Sequence, residues 1–185
     1  IVQKRRNTNG RYAIAAIGRW TRIKNFQAFI ALHKELIAEQ WPHRAVMVTS
    51  YFDSTFGIPE TIEQKPSMSQ DDLRTFYRSI DLVIVPSHFE TFCNVAAEAL
   101  LNGCSVLVSK QVGFSEVLQR AGLGRMVVKT FEDPIHAAMT VKKLAKMPLS
   151  KKEREAVIRL IDSQSIHERI IDVLEKVLED NEMRQ

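Results

Sequence analysis

The sequence predicts an α/β protein: a Rossmann-like, doubly wound parallel sheet with helices on both faces and a helical C-terminal segment. Three observations carry this. Short apolar runs alternate with segments whose apolar residues recur at helical spacing. One run, residues 81–86 (DLVIVP), is continuous and rich in β-branched residues, as a strand buried on both faces must be. From Pro134 to the C-terminus the signal is helical only. Alternation of this kind implies parallel pairing and right-handed crossovers, which place helices on both sides of one sheet.

The elements follow in order. Residues 12–18 (YAIAAIG) form an apolar run closed by glycine, and residues 24–40 (KNFQAFIALHKELIAEQ) carry a helical pattern. Residues 45–50 (AVMVTS) repeat the strand signal, and residues 60–64 give a weak one. Residues 69–79 (SQDDLRTFYRS) read as a helix with Ser69 as N-cap. After the 81–86 strand comes a short helix with Asn94 as expected N-cap and Gly103 as the residue that stops it. A strand at 105–109 (SVLVS), a helix over 115–120 and a strand over 124–129 complete the alternation. The C-terminal helices break near Met147-Pro148 and again near residues 163–165. No internal repeat or low-complexity segment is present.

At 185 residues and 45% hydrophobic, the chain can bury a core and reads as one domain, residues 1–185. Its net charge of +4 suits an anionic ligand, but no basic stripe with interleaved aromatics argues for nucleic acid. Two cysteines, Cys93 and Cys104, cannot build a disulfide framework, which fits a reducing compartment. With no signal peptide and no apolar run long enough to span a bilayer, the expectation is a cytoplasmic protein. The chain opens on IVQKRRNTNGR rather than a start Met, which suggests a piece of something longer.

Ligands of doubly wound sheets sit beyond the carboxyl ends of the strands, so the loops after Gly18, Ser50, Pro86 and Ser109 carry the search. The first reads GRWTRIKNF, with Arg19 and Lys24 five residues apart across the turn into a helix. An arginine fork and a lysine beside a helix N-terminus can hold a diphosphate, although two such cations standing alone are more often solvated. The third loop reads SHFETFCNVAAEALLNG. It puts Glu90 just before a helix of small residues and Glu98 one turn inside it, with the amides of residues 93–96 pointing back toward the loop. The bland reading makes Glu98 an exposed dipole partner and Glu90 a loop acid. Carboxylates beside a phosphate site would be repelled unless hydroxyls donate to them, which suits a ribose for one and a sugar ring for the other. In the fourth loop, SKQVGFSE, Gly113 reads as a turn residue.

These residues carry a resemblance. YRSIDLVIVPSHFETFCNVAAEALLNGCSVLVSKQVGFSEVL resembles the donor-binding half of the retaining GT-B glycosyltransferases, the "group 1" family (family 4) with its E-x7-E motif, and GRWTRIKNF resembles that family's G-R-x4-K-[GN] segment. The likeness runs from about Tyr12 to Val128. It implies that Arg19 and Lys24 bind the donor diphosphate and that Glu90 lies near the transferred sugar. It further implies that Glu98 takes the ribose hydroxyls, and that the backbone of Phe92, Cys93, Asn94 and Val95 meets sugar and phosphate. Glu90, Arg19 and Lys24 are the implied catalytic groups. The resemblance implies a UDP- or GDP-sugar donor, no cofactor and no metal. It also implies a preceding N-terminal acceptor domain through which the whole protein could associate peripherally with a membrane. The chain departs from the family at Cys93, where glycine is usual, at Ser105, usually proline, and at Val112-Gly113, usually two glycines.

Other readings compete. The chain lacks a D-x-D pair, and its histidines at 33, 43, 88, 136 and 167 show no ligand spacing, so they read as surface or packing residues, with His88 flanking the site. Cys93 beside a helix N-terminus could have a lowered pKa and act as nucleophile, but no histidine is near it in sequence. Trp20 and Trp41 read as packing or interface residues, and Phe26 and Phe29 as core rather than a base-stacking platform. A non-catalytic nucleotide-sugar sensor and a GT-B-type sugar-nucleotide epimerase are the alternatives from other classes.

Overall fold

The computed structural model describes residues 11–51 and 57–162. Its strands are β1 (Tyr12–Ile17), β2 (His43–Val48), β3 (Ile62–Lys65), β4 (Leu82–Val85), β5 (Ser105–Ser109) and β6 (Val127–Val128). Its α-helices are α1 (Phe26–Ala38), α2 (Gln70–Tyr77), α3 (Asn94–Leu101), α4 (Phe114–Arg120), α5 (Pro134–Lys146) and α6 (Lys151–Ile161).

All pairings are parallel, in the order β3-β2-β1-β4-β5-β6. The expected Rossmann-like sheet is therefore present. From β1 the chain steps one way to β2, and from β4 the other way to β5. Right-handed crossovers then place α1 on one face and α3 and α4 on the opposite one. α5 packs on α1, and α6 packs on α3 and α4. Residues 13–16, 46–48, 82–85 and 106–108 are buried throughout, because a strand covered on both faces has no solvent side. Each such Val, Leu or Ile contributes about 1.5–3 kcal/mol by leaving water. At the foot of β4, Asp81 fastens the central strands: its Oδ2 accepts from the Ala13 amide at 2.8 Å, and its own amide donates to the Ala13 carbonyl at 2.8 Å.

Several boundaries differ from expectation. A 3-10 turn, Arg22–Lys24, precedes α1, so Lys24 stands outside the α-helix expected to begin with it. Asn25 separates the two in the left-handed conformation (φ 51°), which asparagine tolerates better than most residues. The strand expected over 124–129 shrinks to two residues, because Gly124–Met126 tighten into a 3-10 turn. Ser69 caps α2 by accepting from the Asp72 amide, as expected, and Ser150 caps α6 through a reciprocal box with Glu153. The break near Met147 separates α5 from α6; the expected break near 163–165 and the last helix lie outside the described residues. At the β3 edge, Glu63 bridges Arg44 at 3.1 Å and Lys65 at 2.6 Å.

Candidate active site

β1 and β4 are neighbours whose following helices leave in opposite directions, so the crevice between their C-terminal ends is the topological switch point of the sheet. Two loops meet there and are joined by three contacts. The His88 amide donates to the Ile23 carbonyl at 2.8 Å. The Asn25 side-chain amide donates to the Pro86 carbonyl at 3.2 Å. Lys24 Nζ lies 2.8 Å from Glu90 Oε2.

The methylene stem of Lys24 runs over Gly18, where a Cβ would stand 3.5 Å from Lys24 Cδ. That stem packing and the Thr21 cap on the 3-10 turn aim the lysine at Glu90. The other carboxylate oxygen, Oε1, accepts from Ser87 Oγ at 2.6 Å, and Ser87 is itself held through its carbonyl by Ser109 Oγ at 2.7 Å. Glu90 is thus gripped at both oxygens, by Lys24 from the loop after β1 and by Ser87 from its own loop. Its backbone forms a bridge with Val112, and its carbonyl accepts from the Gly113 amide at 2.9 Å. Gly113 is no mere turn residue. Its backbone is ordinary αR, but a Cβ there would stand 1.9 Å from the Thr91 carbonyl oxygen, so only glycine admits the turn that carries Glu90.

Cys93, not Asn94, is the N-cap of α3; Asn94 is the first helical residue. The reason is backbone geometry: Cys93 is left-handed (φ 85°, ψ 78°), which turns the chain sharply into the helix. A buried non-glycine residue held there stores strain of roughly 1–3 kcal/mol. The reactive-thiolate reading of Cys93 fails, since burial and then the Glu90 charge push its thiol up to about 12. The Ala96 amide turns back to the Cys93 carbonyl at 3.1 Å, leaving Asn94 and Val95 as the amides without an intrahelical acceptor. Val95 is half-buried against the core. The exposed Phe92 ring meets Phe114 edge-on, with centroids 5.5 Å apart.

Glu98 is not the freely solvated acid of the bland reading. It is half-buried, and its Oε2 accepts from the Tyr77 hydroxyl at 3.2 Å. Arg19, by contrast, is exposed and has no hydrogen-bond or ion-pair partner among the described residues. The structure therefore joins Lys24 to Glu90, gives Glu98 a separate support, and leaves the Arg19 side chain unengaged. Sequence reasoning missed Ser87, Asn25 and Tyr77. Ser87 and Asn25 adjoin the motifs and could have been weighed as local hydrogen-bonders; Tyr77 carried no local signal. His33 and His43 are packing residues at the other end of β2, and among the described residues no three His, Cys, Asp or Glu side chains cluster as metal ligands. No described helix is long and apolar enough to cross a membrane.

The sheet order and its crevice define the class: a Rossmann-like, doubly wound domain with its ligand crevice at the switch point. The chain belongs to the glycosyl transferases group 1 family, whose model matches residues 2–160. It is 53% identical over 49 residues to the lipopolysaccharide 1,2-N-acetylglucosaminetransferase of Salmonella typhimurium, covering 26% of this chain and 13% of that protein. It is 36% identical over 92 residues to the D-inositol 3-phosphate glycosyltransferase 1 of Catenulispora acidiphila, covering 50% and 22% respectively. The matched stretches thus span only a small part of these curated relatives. In fold it is similar to sucrose-phosphate synthase from Thermosynechococcus elongatus, with TM-score 0.70 at 18% identity over 92% of this chain and 46% of that one. The C-terminal domain of a group 1 glycosyl transferase, LpcC, from Francisella tularensis gives TM-score 0.58 at 21% identity, covering 79% and 80%.

Proposed function

We propose that this chain is the C-terminal, donor-binding half of a two-domain glycosyltransferase. It binds a nucleoside-diphosphate sugar, UDP- or GDP-linked. With an N-terminal acceptor domain it transfers the sugar with retention to a glycan, lipid or small-molecule acceptor in the cytoplasm. The observation that carries this reading is the Lys24–Glu90 pair at the switch point, beside the open amides of Asn94 and Val95.

In this reading the diphosphate lies against those amides, with Arg19 and Lys24 supplying positive charge. The bond between the anomeric carbon and the diphosphate oxygen breaks, its electron pair leaves with the nucleoside diphosphate, and the same cations stabilise the charge that develops. The acceptor hydroxyl oxygen forms the new bond to that carbon on the face the leaving group vacates, and its proton passes to the departing diphosphate oxygen. No step calls for a metal. Glu90, fixed by Ser87 and Lys24, meets the sugar ring, and Glu98 accepts from the ribose hydroxyls.

Calorimetry tests this on the intact protein. A nucleoside diphosphate should bind at least about tenfold more tightly than the monophosphate, because a charge-assisted hydrogen bond is worth about 1.5–3 kcal/mol. Glu98→Gln should weaken nucleoside diphosphate binding, whereas Glu90→Gln should spare it and lower affinity for the intact nucleotide sugar. Equal affinity for diphosphate, monophosphate and nucleoside would refute the reading.

A further inference from the structure

Tyr77 is the last residue of α2 and only 1% exposed. Its main chain is anchored from a different strand-helix unit: the single Cys104 S–H is shared between the Tyr77 carbonyl, 3.1 Å from Sγ, and the Ile80 carbonyl, 3.3 Å away. The ring is buried within the core, and its hydroxyl has one hydrogen-bond partner among the described residues, Glu98 Oε2 at 3.2 Å. Burial, and then the Glu98 charge, raise the phenol pKa, so the group stays a donor at any working pH.

Glu98 is differently placed. It shares a stripe of α3 with the exposed Asn94 and Leu101, at positions i, i+4 and i+7. A glutamate on such a face, left to itself, keeps several rotamers and loses that freedom only on meeting a ligand. A phenylalanine at 77 would fill the same apolar volume without burying a hydroxyl, so packing alone does not account for the tyrosine. The Tyr77 bond engages one lone pair of Oε2. Both oxygens keep acceptor capacity, Oε1 in full and Oε2 through its remaining lone pair, so each can take one of the two O–H donors of a vicinal diol.

We propose that Tyr77 is a positioning residue for the donor's ribose: its hydroxyl holds the Glu98 carboxylate in the one orientation that lets both vicinal hydroxyls donate to it at once. This rests on Glu98 being the ribose acceptor. Tyr77 touches no ligand in this scheme; it removes in advance the rotamer freedom that Glu98 would otherwise surrender on binding.

The test is Tyr77→Phe in the intact protein, titrated with UDP, GDP and their 2′-deoxy forms, with thermal melts alongside. The ribonucleotide that binds the wild type should bind the variant about three- to tenfold more weakly. Its 2′-deoxy form should lose less, so the ribose preference narrows by about twofold or more. In a Glu98→Gln background the same change should add little, as expected for two residues acting through one interaction. Equal weakening of ribo and deoxy forms, or full additivity with Glu98→Gln, overturns the proposal while leaving the role of Glu98 intact. A wild-type protein indifferent to the 2′-hydroxyl, or one that binds neither UDP nor GDP, overturns both.

Discussion

Lys24 and Glu90 face each other at 2.8 Å across two loops that leave the sheet in opposite directions, and their side chains are 24% and 13% exposed. The lysine is therefore both part of the fold and part of the proposed diphosphate site. Arg19, exposed and unpaired among the described residues, is only the second.

Substituting the two cations should separate these roles. Arg19→Gln should leave stability within about 0.5 kcal/mol, as exposed positions do. Lys24→Gln removes the partner of a half-buried carboxylate and should cost about 1–2 kcal/mol. Both should weaken nucleoside diphosphate binding about tenfold. Thermal melts and calorimetry on the same preparations check the pair, and a Lys24 variant that melts like wild type would contradict the dual role.

At Cys93 the usual order of small substitutions should invert. Alanine keeps the left-handed strain and loses the sulfur, whereas glycine loses the sulfur and relieves strain of roughly 1–2 kcal/mol. Cys93→Gly should therefore melt above Cys93→Ala. Elsewhere in a fold, glycine is normally the worse of the two.

Gly113→Ala has no such escape, since the new methyl would stand 1.9 Å from the Thr91 carbonyl oxygen. The turn must shift, at a cost of roughly 1–3 kcal/mol or more. Because that turn also carries Glu90 and Cys93, nucleotide-sugar affinity should fall with stability. A variant with native melting and native affinity would show that the loop yields freely.

A chain of hydrogen bonds at the other end of β2 makes the fold acid-sensitive. His33 Nδ1 and His43 Nε2 are 2.8 Å apart, His33 Nε2 meets Thr61 Oγ1 at 2.8 Å, and His43 Nδ1 meets the Trp41 carbonyl at 2.8 Å. Burial first, then the His43 ring, lower His33 from 6.5 to about 4, and burial lowers His43 as well. The unfolded chain thus takes up the proton before the folded one does. Stability from His33 is full above pH 6.5 and is lost as pH falls toward 4, by an amount on the order of 3 kcal/mol. Urea titrations from pH 7 to 4 should show this slope in the wild type and a shallower one in His33→Leu.

What the sequence revealed, and what it hid, follows from how local each cause is. The sheet was readable because burial on both faces forces unbroken apolar runs such as LVIV, and Ser69 was readable because a cap satisfies amides next to it in the chain. The loops bearing Arg19, Lys24, Glu90 and Glu98 followed from strand ends alone. The Asn94 cap was misplaced because the left-handed turn at Cys93 is imposed by the surrounding loops, against the preference of the residue. Tyr77 went unnoticed, since its partner stands on a helix two elements later. Gly113 was misjudged for the same reason: the atom that excludes a side chain belongs to another loop.

The two margins of the sheet have a bearing on solubility. β6 offers two residues of backbone and β3 four, with Glu63 and Lys65 on the latter tied into a charged trio with Arg44. Unpaired strand borders are where one chain can template another into an extended ladder, and brevity and charge are what prevent it. Short, charged margins thus guard a sheet whose central strands are apolar, and replacing Glu63 or Lys65 by valine should weaken that guard while leaving the interior untouched.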